Sequence, residues 1–474
     1  MNHPRRFLHR ELLVDAVTPI GAFAAMSGAR PGPAMLFESA PGAGVGARRS
    51  LIALGSRGAM RAFDGEVTVC MDGDDPRRTE VSPVQAGRDL SAALRPSQED
   101  VARSPYFGLF GAAAHEFSGY LERLPTLPRG GDPMPDLHLI VPETLIVFDH
   151  FTHRATITTL SGPDGTVRDA ADIVEALTVP SLVPLAASSA TAVSGLPPAG
   201  EHDADRYCHA VDAAKAAIHD GEAFQIVLSQ GRTIASPANP FDVYRALRSI
   251  NPSPYMFFLD LGWGQLFGSS PEMLAKLDGG RATVRPLAGT RPRSDDSETD
   301  RRRASELRSD PKERAEHTML VDLGRNDLSR VCVVGSVRVH EFMDVERFSH
   351  VMHLVSEVTG RLEQGRDAFD LLCAAFPAGT VSGAPKIRAL ELIAQLEGVR
   401  RGFYAGAVLR IGFDGSMDSC ITLRSMHAYG GAFHLRAGAG IVAASDAAGE
   451  DRECRAKLGA ALDALTMASE GVPA

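Results

Sequence analysis

Extended runs follow one another in this chain with no helix between them, and that order most constrains the fold. LHLIVPETLIVFDH (137–150) and RATITTL (154–160) read as strands joined by short turns, and the runs at 404–412, 418–428 and 433–443 repeat the pattern. Helical spacing is present too: Tyr207, Val211, Ala214 and Ile218 recur every three or four residues before the Asp220-Gly221 stop. Further helices are predicted near 311–323, 385–397 and 450–467, with strands near 223–230, 255–261 and 349–357. The mixture predicts an α+β fold and argues against a doubly wound parallel sheet.

At 474 residues the chain is too long for one ordinary domain core. The stretch PLAASSATAVSGLPPAGEHDAD (184–205) has neither helical nor strand period. The expected organisation is therefore an N-terminal part (1–183), a linker or surface loop (184–204) and a C-terminal part (205–474). A net charge of -10 with no Lys/Arg tract argues against nucleic acid as a partner. The six cysteines are dispersed, with no CxxC pair or zinc spacing, and are expected to be reduced thiols in a cytoplasmic protein. The start, MNHPRRFLHRELL, lacks the apolar run of an export signal, and no stretch is long and apolar enough to anchor the chain in a membrane.

Three segments could carry chemistry. In DPKERAEHTMLVDLGRND (310–327), Asp310 can cap a helix begun by Pro311, and Glu313 can complete a capping box. Glu316 lies one turn on, sharing a face with Glu313; such carboxylates suit Mg2+ or simply a solvated surface. In FPAGTVSGAPKIRALELIAQLEG (376–398), Gly379, Thr380, Ser382 and Gly383 precede Pro385, so free N–H groups at a helix start could meet an anion, or the loop is an ordinary capped turn. In HLRAGAGIVAASDAAGEDRECRAK (434–457), Gly438 and Gly440 interrupt a strand, and Glu450, Glu453 and Lys457 share a helix face. Glu453 either pairs with Lys457 or ligates a metal.

Single residues add to these. In AFQIVLSQ (223–230), Phe224, Ile226 and Leu228 alternate with Gln225, Val227 and Ser229, so Gln225 is predicted opposite a core-facing row. His353 is predicted on the strand face opposite His350, where a structural role is the default. Arg424, within an otherwise apolar predicted strand, demands an anion, either a structural partner or a bound carboxylate.

In order along the chain, FQIVLSQ, NPSPYMFFL, GSSPE, RPLAGTRPR, KERAEHTMLVDLGRND, VERFSHVMHLVS, FPAGTVSGAPKIRALELI, GFYAGAV and AGAGIV resemble the chorismate-utilising enzymes, most closely the large-subunit family of anthranilate synthases. The resemblance is nearly continuous from 205 to the end; upstream, LFESA at 36 resembles the family's effector-binding segment. It implies two face-to-face β-sheets with outer helices. It implies that Glu316 and Glu453 ligate Mg2+ with Glu313 in support, and that Gly289, Thr290, Tyr404, Arg424, Gly438, Ala439, Gly440 and Lys457 contact chorismate. By the same resemblance Glu272 is the general acid for the departing ring hydroxyl, His353 serves pyruvate elimination, and Thr380 positions substrate. The implied activity is a lyase reaction of tryptophan biosynthesis: amination of chorismate at ring carbon two, then loss of pyruvate to give anthranilate.

Two positions address which family reaction is run. Isochorismate-forming relatives carry lysine where Gln225 stands, and common aminodeoxychorismate synthases carry a nucleophilic lysine where Ala288 stands. No GxCxG nucleophile elbow surrounds any cysteine, so ammonia is expected from a separate glutamine amidotransferase subunit in a hetero-oligomer. Glu38, Ser39, Pro254, Tyr255 and Met256 match the family's tryptophan-binding positions, implying feedback inhibition. The chain departs from the family at AGAVLR, Ser329 and Ala456-Lys457. These departures leave open a specialised enzyme that stops at 2-amino-2-deoxyisochorismate, and a different class of function is a non-catalytic tryptophan-sensing subunit.

Overall fold

A computed structural model of the chain describes residues 4–29, 32–39, 48–167, 170–179, 204–347 and 351–470. Apart from residue 204, the predicted linker lies outside them, as does His350. Within the described residues the strands form two large antiparallel sheets, of 11 and 12 strands. Both sheets mix strands from the two sides of residues 184–204. In the first, Ala34–Glu38 pairs with Tyr255–Asp260; in the second, Gly108–Ala113 pairs with Ala407–Gly412.

The sheets pack face to face. Met35, Leu145, Phe257 and Leu266 from one and Phe110, Leu139, Ala275 and Leu409 from the other share one apolar cluster. A second cluster joins the outer face of the first sheet to helices Pro19–Ala29, Pro240–Ile250 and Ala447–Glu470 through Phe23, Val243, Leu247 and Leu465. Strands of the first sheet are therefore covered on both faces, which explains why many read as continuous apolar runs with little alternation.

Several predicted elements shift. The predicted helix at 311–323 extends to Pro311–Ser329. Tyr404 precedes its strand, Ala407–Gly412, and sits in a turn. The strand predicted over 418–428 is two strands, Met417–Ile421 and Ser425–Tyr429, which belong to different sheets. Arg424 is the corner between them, with φ 48°, a left-handed conformation uncommon for a residue with a β-carbon. Ile226 and Leu228 face the core as expected, whereas Phe224 precedes the strand Gln225–Ala235 and is 73% exposed.

Candidate active site

Around Glu272, a candidate cleft is framed by residues of both sheets and of helices Pro311–Ser329 and Ala447–Glu470, whose charges act on one another. Gln225 and the Gly438–Gly440 backbone come from adjacent strands in register, Val227 opposite Gly440 and Ser229 opposite Gly438. The glycines are required by proximity. A β-carbon at Gly440 would stand 2.5 Å from Gln225 Nε2, and one at Gly438 would stand 2.6 Å from both Leu228 O and the Tyr404 hydroxyl. Lys457 reaches back from helix Ala447–Glu470 to donate to Gly438 O at 2.8 Å while pairing with Glu453 at 2.7 Å.

Glu272 follows the strand Gln265–Ser270 and is 7% exposed. Burial pushes its carboxyl up to about 7, against the opposing pull of Thr380, the Leu287 backbone, Lys457 and Arg424. The Thr380 hydroxyl stands beside this carboxyl without a well-aligned hydrogen bond. Burial lowers the pKa of Arg424, and the Glu272 charge acts against that. The guanidinium forms no ion pair among the described residues, so of the two alternatives for it a bound carboxylate is the better match.

His353 lies on strand Val351–Arg361 opposite Thr290. Its Nδ1 meets Gly289 O at 2.9 Å and the Thr290 hydroxyl at 3.1 Å. A carbonyl only accepts, so Nδ1 carries the proton and Nε2 is the basic nitrogen. Burial lowers the imidazole to about 4, keeping it neutral.

The carboxylates stand at the rim. Asp310 caps its helix by accepting from the Lys312 and Glu313 N–H groups. Glu313 does not close the expected capping box; it accepts from Arg291 at 3.0 Å and lies against Gly289. Glu316 pairs loosely with Lys312 at 3.8 Å. Burial raises its pKa, and Glu313, Glu450 and Glu453 add to the rise. Four carboxylates from two helices thus feel one another across the cleft. Among the described residues no three such groups converge into a complete metal cage. Mg2+ characteristically binds one or two carboxylates and completes its shell with water and substrate oxygens, so this open, hard-oxygen set fits it.

Two buried ion groups went unseen in the sequence. Glu397 accepts from Arg401 at 2.6 Å and 3.0 Å, from Arg436 at 2.7 Å and from Ser229, while Arg401 also donates to Val227 O and Val381 O. The cluster ties the two glycine-side strands to the Thr380 loop, and its guanidinium groups hold the Glu397 carboxyl down at about 2 against the cost of its burial. The second, Asp327 with Lys386, lies behind Thr380. In sequence these are single charges in a predicted helix (Lys386, Glu397), in a predicted strand (Arg436) or outside the predicted elements (Asp327, Arg401), so periodicity carried no signal.

Away from the cleft, a cavity of about 770 Å3 opens between the sheets, lined by Phe37, Tyr106, Phe110, Tyr255 and Phe257 among others. Glu38, Ser39, Tyr255 and Met256 border it; Pro254, just before the strand, does not. The Glu38 carboxylate is taken by Tyr244 at 2.8 Å and by Arg248 at 3.1 Å and 3.2 Å.

A family model described as chorismate binding enzyme matches residues 32–463. The chain is 44% identical to anthranilate synthase component 1 of Streptomyces coelicolor over 97% of this chain and 89% of that one. It is 40% identical to the Thermus thermophilus protein of the same name over 98% of each. A crystal structure of anthranilate synthase component I from Streptococcus pneumoniae superposes with a TM-score of 0.74 at 33% identity, covering 90% of this chain and 93% of that one. A menaquinone-specific isochorismate synthase of Escherichia coli shares the fold at TM-score 0.73 and 20% identity, over 98% of this chain and 95% of that one. With its sheets, cleft and nearly full-length similarity in agreement, the chain belongs to the chorismate-binding enzyme family.

Proposed function

We propose that this chain is the lyase that converts chorismate and ammonia to anthranilate and pyruvate. One observation carries the choice within the family. A buried acid near neutrality, Glu272, stands with Arg424 and Lys457 in a cleft whose two possible lysine positions hold Gln225 and Ala288. Neither glutamine nor alanine can activate water or capture the ring covalently, so external ammonia is the nucleophile.

Arg424, Lys457 and the glycine backbone hold the substrate carboxylates, and the close-packed Gly438–Gly440 strand lets the ring lie against the chain. Ammonia adds its lone pair at ring carbon two, the ring double bonds shift, the carbon-four hydroxyl departs as water on taking the Glu272 proton, and the new ammonium gives up one proton, which balances the one Glu272 supplied. Neutral His353 then accepts the proton from carbon two as the carbon-three ether bond breaks; the side chain leaves as the enolate of pyruvate, which takes up a proton at its methylene carbon as His353 is restored to neutrality, and the ring becomes aromatic. Mg2+ held by Glu316 and Glu453, with Glu313 in support, would neutralise the ring carboxylate and fix its orientation.

Tryptophan in the inter-sheet cavity is the proposed feedback signal, with Glu38, Ser39, Tyr255 and Met256 at its border and Pro254 beside it. Its route to the cleft is short. Asp418, Ser419 and Cys420 line the cavity on the strand that leads to Arg424, and the same strand bonds the Glu272 segment through Ile421 N to Glu272 O at 3.1 Å and Ser270 Oγ to Ile421 O at 2.6 Å. Ammonia is supplied by a separate glutaminase subunit in a hetero-oligomer. The setting is cytoplasmic, in keeping with six free thiols and with no described helix long and apolar enough to cross a membrane.

Chorismate, Mg2+ and ammonium should yield anthranilate fluorescence with one pyruvate per anthranilate, and Glu316→Gln should remove both while the fold persists. A non-aromatic amino product would overturn the second half of the scheme. Full turnover with glutamine alone would overturn the separate subunit. Inactivity in the presence of a glutaminase partner would favour the sensing role.

A further inference from the structure

Lys386 is the first residue of helix Lys386–Glu397, where a cation opposes the helix dipole. It is also buried, at 8% exposure, with Asp327 at 10%. Nothing in its own helix accounts for it. Its ammonium donates to both Asp327 oxygens at 2.9 Å and to Ala375 O at 3.3 Å. Ala375 is the last residue of helix Ala368–Ala375, so the ammonium sits at that helix's carbonyl end, where a cation is favoured.

These bonds have one geometric consequence. Residues 375 and 386 bound the segment that carries Thr380, and a single ammonium pins both of its ends to Asp327. Asp327 lies near the end of helix Pro311–Ser329, whose first turns carry Glu313 and Glu316. Between the pair and the cleft lies a cavity of about 40 Å3, bounded by Asp327, Gly379, Thr380 and Glu272. The segment has no slack against that helix: a β-carbon at Gly379 would stand 1.9 Å from Leu323.

We propose that Asp327 and Lys386 are positioning residues: they clamp the two ends of the Thr380 segment onto the helix of the carboxylates and so set Thr380 against Glu272. A buried ion pair is weak evidence for stability, since an apolar pair of similar size often serves as well, which leaves room for a role in placement. The proposal rests on the reading of Glu272 as the general acid. Thr380 favours the ionised form of Glu272, so a displaced Thr380 slows the step and moves the basic limb of the pH profile upward.

The test compares wild type, Asp327→Leu/Lys386→Met, Thr380→Ala and the triple variant, following whichever amine the wild type releases from chorismate, Mg2+ and ammonium. The double variant removes both charges together, so no lone charge is left buried. Its kcat is expected to fall ~100-fold, the scale of a small misplacement at a reacting centre, with KM for chorismate within about threefold. In the Thr380→Ala background the same pair of changes should add almost nothing, because the effect passes through Thr380. Lys386→Arg, which keeps a cation facing Asp327, should lose much less kcat than the double variant. A folded double variant with wild-type kcat and pH profile overturns the proposal, as does a loss that multiplies with that of Thr380→Ala. The identity of the amine tests the reaction separately.

Discussion

Between the sheets, a cavity of about 770 Å3 is lined by aromatic rings and, around them, by charged side chains such as Arg48, Arg49, Lys276 and Asp418; a few residues further along the same strands, the region around Glu272 is built of backbone, glycine and closely coupled charge. The cavity needs only that facing side chains fail to fill the space between two layers. It suits a bulky ligand that pairs an apolar body with charged groups. The cleft instead holds groups that burial and repulsion disfavour: an acid held near 7, a buried guanidinium with no ion pair among the described residues, and mutually repelling carboxylates. Volume therefore locates the proposed effector, and electrostatic conflict locates the proposed chemistry.

The largest expected difference between the two regions comes from Glu272→Gln. It should cut the amination rate by ~10²–10⁴-fold, the range for loss of a general acid, and leave tryptophan binding unchanged. Isothermal titration beside the fluorescence assay reads both. Equal damage to both would break the distinction.

Glu397→Gln, which leaves the buried Arg401 and Arg436 uncompensated, should cost about 3–5 kcal/mol in urea unfolding. With the carboxyl lowered from 4.5 to about 2, that stabilisation is complete above pH 4.5 and is lost as pH falls through about 2. An unchanged midpoint would mean that the cluster does not hold the cleft together.

A gentler probe is pH. Glu272 must be protonated to act, and the protonated fraction falls above about 7. The rate normalised to free NH3 should therefore drop roughly tenfold per pH unit above that point, because one proton is involved. A flat profile to pH 9 would remove Glu272 as the acid.

The smallest effect belongs to the cavity. Tryptophan at a hundred times its Kd should stabilise the protein by ~2.7 kcal/mol. Tyr255→Phe, which loses a 3.1 Å hydrogen bond to Asp418, should change protein stability by only ~1 kcal/mol. No thermal shift with millimolar tryptophan would remove the effector from the cavity.

Which parts were legible follows from what each residue depends on. Glu313 and Glu316 share a face because one helix sets their spacing, and Ile226 and Leu228 face the core because one strand alternates. Arg424 was misread as mid-strand because an apolar run carries no mark where a chain leaves one sheet for another. Glu313 was read as a capping box because its rival, Arg291, lies 22 residues away in sequence. Asp327, Lys386, Glu397, Arg401 and Arg436 were missed because a charge on a helix or strand looks exposed until the element covering it is known.

Local periodicity and ordered motifs are enough to give the α+β character, the resemblance to the chorismate-binding family and the residue types offered at the candidate cleft. The pairing of strands from the two sides of 184–204 within each sheet, the corner at Arg424 and the burial that holds the Glu272 proton near 7 emerge in three dimensions. Burial and charge coupling act through space, between residues up to a few hundred positions apart, and no local pattern records them.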